Sequence, residues 1–421
     1  MSASTSFRAI EACRVCGSAE LRSVLDLGQQ CLTGIFPRTK NANLTSGPLE
    51  IVKCGGDADA CGLVQLRHNY DPGEMYGANY GYRSSLNRSM VDHLRAKVQS
   101  LVSRRPVGAG DVVLDIGSND GTTLSFYPEN ARLIGMDPSA ANFAKYYKSH
   151  IQVVADFFSA EAFFGASWGR QARIVTLIAM FYDLAHPLEF MRQVHAVLAD
   201  DGIWHFEQSY LPSMLAANSY DTICHEHAEY YALGPIVWMA DQVGFSIVDV
   251  SNNDINGGSF AVTVTKAKPG ATKHADVVTR ILEKERQEGL VSLERFAQFA
   301  GIVRRHKTEL RTLLETLKAS GKRVFGMGAS TKGNVILQYC AVGPELLPCI
   351  AEVNEDKFGC FTPGTEIPIV SEAEAFALEP DVLLVLPWHF RENLVRRSAS
   401  LIERGVKLLF PLPKIEFVPA P

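Results

Sequence analysis

No run of about 18 uncharged apolar residues occurs in this 421-residue chain, so nothing in it reads as a membrane-spanning helix. Basic excess is missing as well. Lysines and arginines number 41 against 46 acids, a net charge of −5, which gives phosphate backbones no face to bind. The opening MSASTSFRAIEACRVCG lacks the apolar stretch of a secretory signal. Low-complexity tracts and short repeats are absent too. These absences point to a cytoplasmic protein that engages neither nucleic acid nor membrane, and they leave its oligomeric state open, with a monomer compatible.

What is present belongs to a globular protein of two or three domains, 47% hydrophobic and 21% charged. Nine cysteines in a reducing compartment do not read as a disulfide framework. Cys340, Cys349 and Cys360 are scattered like small apolar residues, and Cys31 has no sequence partner. The other early ones pair as Cys13-x2-Cys16 and Cys54-x6-Cys61, around turns marked by Pro37 and Gly47-Pro48. Two thiolate pairs held by turns form a tetrahedral sulfur site suited to Zn2+. With no open position for substrate, that zinc would be structural, stapling a module too small to build its own core.

Residues 85–104 repeat apolar positions at helical spacing and lead into a second unit. There VVLDIG, ARLIGMD, IQVVAD, RIVTLIAMF and GIWHFEQSY alternate with helical stretches, the pattern of a mostly parallel sheet covered on both faces. A charged helical connector over about 275–318 precedes a second such series starting at RVFGMG. The expected class is α/β, with a zinc-binding module over 8–75, a Rossmann-like domain over 76–268, and a connector with a second Rossmann-like domain over 269–421.

VVLDIGSNDG follows a strand and opens a helix, but its D-x-G-x-x-x-G spacing differs from the G-x-G-x-x-G of dinucleotide loops. Asp115 closes the strand, Gly117 and Gly121 allow the turn, and Asn119 lies between them. Asp137 ends the next strand, where a carboxylate can accept ribose hydroxyls. Asp156 ends the third, within reach of an adenine amino group, with Phe157 beside the ring. Each acid alone is an ordinary helix cap. Three in succession suit the cationic S-adenosylmethionine (AdoMet) and a class I methyltransferase fold, with NAD the alternative that the glycine spacing disfavours.

The fifth strand runs into YDTICHEHAEYY, beyond the carboxyl edge where α/β sheets bind ligands. His225 and His227 could ligate a metal, could be satisfied by backbone, or could act as acid and base. An i, i+2 pair in a loop is a weak ligand pattern, and an imidazole beside a carboxylate fits proton transfer better. Cys224 as a nucleophile has little to support it.

The ordered series CRVCGS, CGLVQLRHNYDPGEMYGANYGYRSS, DIGSNDG, HEH, NGGSF, GMGASTKGN, PGTEIPI and LPWHF resembles the nucleotide-sugar C-methyltransferases of deoxysugar pathways, from about residue 11 to 415. The resemblance implies a zinc module, an AdoMet domain and a C-terminal domain enclosing a nucleotide-diphosphate sugar. It also implies a base that forms an enolate beside a 4-keto group. His227 takes the base position, with Glu226 as its carboxylate neighbour, and Tyr80 or Tyr82 lies near the sugar. Asn256, Gly258 and Ser259 of NGGSF, with Ser330, Lys332 and Asn334 of the second glycine loop, are expected at the substrate. Members acting on antibiotic sugars carry a tyrosine where this chain has Cys224, and a histidine where FYDLAHP places Asp183 and His186, so the acceptor can differ. The rival readings are an O- or N-methyltransferase on another small molecule, and a non-catalytic scaffold.

Overall fold

The computed structural model describes residues 7–56, 59–75, 83–270 and 272–419. Its centre is a seven-stranded sheet in the order Phe245–Asn253, Ser259–Lys266, Leu198–Ser209, Ala172–Ile178, Val112–Ile116, Arg132–Met136, Ile151–Val154. Ser259–Lys266 alone runs antiparallel to its neighbours, and the other pairings are parallel. This is the class I methyltransferase arrangement expected from the strand–helix alternation. Val112–Ile116 is buried along its whole length, as a central parallel strand must be when helices cover both faces.

The entry helix is Arg88–Arg104, and the Asn87 side chain caps it by accepting the Ser89 amide. Its buried stripe of Met90, Leu94, Val98 and Leu101 follows the predicted spacing. The connector is two helices, Asp276–Gln287 and Leu293–Ala319, separated where Gly289 takes a φ of +80°. Beyond it, a six-stranded sheet runs Ile369–Ser371, Ile350–Glu352, Val324–Met327, Val382–Val385, Lys407–Phe410, Glu416–Val418, parallel except at the last pair.

The N-terminal module is a four-stranded sheet, and one of its strands comes from far along the chain. Glu229–Tyr230 pairs antiparallel with Val64–Leu66, beside Ser46–Cys54 and Leu21–Cys31. The module also grips the C-terminal domain. Gln338 bonds both backbone groups of Cys31, and the Asn334 amide donates to the Thr33 carbonyl at 2.8 Å. Three sequence-distant units therefore meet around residues 220–231. No described helix is long and apolar enough to cross a membrane.

Candidate active site

A cavity of about 300 Å³ opens at the carboxyl ends of Val112–Ile116, Arg132–Met136 and Ala172–Ile178. Asp115, Gly117, Asn119, Asp137 and Phe157 line it, joined by Met90 and Leu94 of the entry helix and by Met180 and Asp183. Gly117 sits at φ +70°, the left-handed turn that carries the chain off the strand. Asp137 is fixed by its own loop, accepting the Asn119 amide at 2.8 Å and the Ser139 amide at 2.6 Å. Asp115 accepts the Thr176 hydroxyl at 2.5 Å. Burial, reinforced by Asp137 nearby, raises it to about 7, so a cation in the cavity would favour its ionised form.

Two expected donor contacts lie elsewhere. Asp156 is exposed and absent from the cavity wall, because its carboxylate turns back to accept the Phe157 amide at 2.7 Å. Gly121, at φ +75°, is also off the wall; a Cβ there would strike the Tyr147 ring, so its role is to let that ring close over the loop.

His227 is not on this cavity's wall and instead lines a separate small cavity with Tyr182 and Thr222. Its Nδ1 lies 2.8 Å from the Thr222 carbonyl, which can only accept, so Nδ1 carries the proton and Nε2 keeps its lone pair. Burial first, and then the Lys332 charge, push the ring down to about 4 and hold it neutral. Its ring meets Tyr182 edge-on at 4.4 Å, and the residue after Tyr182, Asp183, lines the 300 Å³ cavity. A stack of Phe181 on Tyr231 at 5.3 Å, with Trp204 and Phe206 behind it, holds that turn in place.

The remaining loop residues point elsewhere. His225 packs edge-on at 4.6 Å to Tyr70, which lies in a separate two-stranded sheet of the N-terminal module, and burial lowers His225 to about 4. It is thus a packing element between units, away from the acid–base role considered for it. Cys224 is buried, and burial pushes its thiol well above its ordinary value, with Glu226 adding to the rise, which leaves no thiolate for nucleophilic work. Glu226 lies beside Cys224 and against Gly34, where a Cβ would collide with its carboxylate, and burial raises it. The carbonyl of Thr222 orients the His227 ring. Tyr80 and Tyr82 lie outside the described residues.

The C-terminal domain closes the other side. Lys332 donates to the Asn256 carbonyl at 3.0 Å, joining the second glycine loop to NGGSF. Asn256 holds a left-handed φ of +55°, and Gly258, at +115°, packs where a Cβ would meet Ser213. Ser259 returns its hydroxyl to the Ile255 carbonyl at 2.9 Å. Ser330 caps the helix Thr331–Tyr339 by accepting the Gly333 amide at 3.0 Å. Asn334, expected at the substrate, is instead buried against Thr33 and ties the domain to the N-terminal module. The Trp388 indole donates to Asp221 at 2.7 Å, and His389 packs near Gly257.

Glu207 was not legible in the sequence. At the carboxyl end of Leu198–Ser209, it contacts His93 at 2.6 Å, Lys97 at 2.8 Å and the Asn253 amide at 2.9 Å. It thereby anchors the strand leading to NGGSF, and an acid closing a strand was its only sequence signal. At the N-terminus, the sulfurs of Cys13, Cys16, Cys54 and Cys61 all lie within 4.8 Å of one another, which fits one tetrahedrally held zinc.

Three family models match successive parts of the chain: a zinc binding domain over 13–76, a methyltransferase domain over 90–250 and a C-methyltransferase C-terminal domain over 254–413. The C-methyltransferase NovU of Streptomyces niveus is 31% identical over 422 residues, spanning 98% of this chain and 98% of its own. Among solved structures, the plantazolicin methyltransferase BpumL in complex with SAH aligns with a TM-score of 0.33 and 14% identity, over 42% of this chain and 82% of its own. The N-methyltransferase NodS from Bradyrhizobium japonicum WM9 aligns with a TM-score of 0.32 and 12% identity, over 43% and 99%.

Proposed function

This chain belongs to the C-methyltransferase family that includes NovU, and from that membership we propose that it methylates a carbon beside the keto group of a nucleotide-linked deoxysugar, with His227 as general base. AdoMet-dependent C-methylation is the activity of the family, and zinc is its structural metal. Asp115, Asn119, Asp137 and Phe157 would hold AdoMet, which supplies an electrophilic methyl group when bound.

The observation that carries the proposal is the state of His227. A neutral ring with Nδ1 committed to the Thr222 carbonyl keeps the Nε2 lone pair that a general base needs. A proton next to a ketone is weakly acidic, so the base must be enclosed, oriented and adjacent to the methyl source. Tyr182 touches that ring, and its neighbour Asp183 lines the cavity that would hold the donor.

Lys332, at the start of the helix Thr331–Tyr339, suits a diphosphate, since helix N-termini and ammonium groups both favour phosphate oxygens. Its charge is also one of the two factors holding His227 low. A diphosphate at Lys332 would offset that charge and make the imidazole more basic once the sugar nucleotide is seated. Asn256, Gly258 and Ser259 would border the sugar, and Ser330 would shape the phosphate loop.

Incubation with labelled AdoMet and dTDP- or GDP-4-keto-6-deoxyhexoses tests this reading. Label on a carbon next to the ketone is the expected product. Label on oxygen or nitrogen would overturn it in favour of an O- or N-methyltransferase.

A further inference from the structure

We propose that Arg14, between the two cysteines of the first zinc pair, positions His227 through Gln65 and Glu229, so that the N-terminal metal site sets the placement of the base. This rests on His227 being the base, as argued above.

The contacts form an unbroken path. Gln65 donates its amide to the Cys13 sulfur at 3.2 Å, so it touches a zinc ligand directly. The same side chain's carbonyl accepts the Arg14 backbone amide at 3.1 Å and its guanidinium at 3.3 Å. Arg14 is buried, only 2% of its side chain being exposed, and is held by the Leu66 carbonyl at 2.5 Å and Asn69 Oδ1 at 2.6 Å. Its Nε faces Glu229 Oε1 at 3.8 Å. Glu229 is the cross-strand partner of Gln65, and the Leu66 amide donates to the Ala228 carbonyl at 2.8 Å. His227 immediately precedes that bonded residue.

Glu229 then reaches the site itself. Its side chain is fully buried, and it lines a small cavity of about 10 Å³ together with His227, Thr222 and Tyr182. Among the described residues, Arg14 is the sole cation within ion-pair distance of this carboxylate. Burial pushes Glu229 well above its ordinary value and Arg14 leads the groups opposing that rise, so losing Arg14 leaves this carboxyl short of a polar partner and disturbs the short strand that follows the histidine. Zinc coordination fixes the backbone on both sides of Arg14, because Cys13 and Cys16 are both ligands of the cluster. A guanidinium fork locked this way transmits metal occupancy to the base without touching substrate. Arg14, Gln65 and Glu229 are therefore positioning residues.

The test uses full-length, zinc-loaded protein with 15N-labelled histidine. The ring signals of His227 are identified by their loss in His227→Asn. In Arg14→Gln and, separately, Glu229→Gln, zinc content and AdoMet binding should match wild type, while the His227 ring signals shift. Exchange of the proton next to the ketone should slow on the order of 100-fold, the cost of a misplacement near 1 Å, and Arg14→Lys should recover part of that loss. Withdrawing zinc from wild-type protein with a chelator should shift the same ring signals. Unchanged His227 signals in either zinc-loaded variant, or after confirmed metal withdrawal, overturn the inference. Failure of the base reading is seen separately, as normal proton exchange in His227→Asn.

Discussion

Replacing Lys332 by methionine removes a charge from the neighbourhood of His227 while keeping most of the side-chain length. In the free protein, burial and Lys332 together bring His227 from 6.5 to about 4. That fall corresponds to roughly 3 kcal/mol of preference for the neutral ring, at about 1.36 kcal/mol per tenfold. Burial is the larger factor and survives the substitution, so His227 should rise in Lys332→Met but remain below 6.5. The pH dependence of kcat/KM for exchange of the ketone's neighbouring proton reports the free enzyme. Wild type should keep its rate down to about pH 4, whereas the variant should lose rate at a higher pH. Lost phosphate binding lowers the height of the profile, and lost charge moves its acid limb, so the two effects separate. An acid limb that stays in place, or moves downward, would refute the coupling between this lysine and the base.

Asp115 gives a second pH signature. Burial raises it to about 7, so its carboxylate forms as pH rises through that value. Affinity for the cationic donor, measured by calorimetry, should increase between pH 6 and 8, and Asp115→Asn should flatten that rise. His205 and His225 are buried and held at about 3 and about 4, well below an unfolded histidine, with burial the leading cause in each. The unfolded chain takes up protons below 6.5 that these rings refuse, so their sites contribute a loss of stability as pH falls from 6.5 toward 4. Melting temperatures measured at pH 7 and pH 5 should show that loss, and His205→Gln should reduce it. Trp388→Phe removes the indole that donates to buried Asp221 at 2.7 Å. Unfolding in urea should show a cost of about 1–3 kcal/mol, the penalty for a buried acceptor left short of a partner.

Residue order carried the periodic and the local features. CRVC and the later cysteine pair mark a sulfur cluster because a tetrahedral site needs only short turns and free thiols. The glycine loop after VVLDIG is legible because Gly117 must turn the chain there. Long-range pairing was not legible. Nothing in HEHAEYY shows that Glu229–Tyr230 pairs with Val64–Leu66, far earlier in the chain, since two residues carry no periodicity. A turn at His225–Glu226 separates the two histidines, His225 packing on Tyr70 and His227 on Tyr182, a distinction hidden in an i, i+2 pattern. Asp156 reads as a third strand-end ligand, yet its local turn satisfies the carboxylate first. Asn334 was placed at the substrate by its motif, and its side chain is taken by Thr33 of another unit. In each case a partner distant in sequence, or one immediately adjacent, decided where the side chain points.

The most direct measurement is deuterium incorporation next to the ketone of a nucleotide-linked 4-keto-6-deoxyhexose in heavy water, compared between wild type and His227→Asn. Wild type should incorporate deuterium, and the variant should not, while both bind AdoMet equally. Equal incorporation by the two proteins would contradict the assignment of the proton to His227.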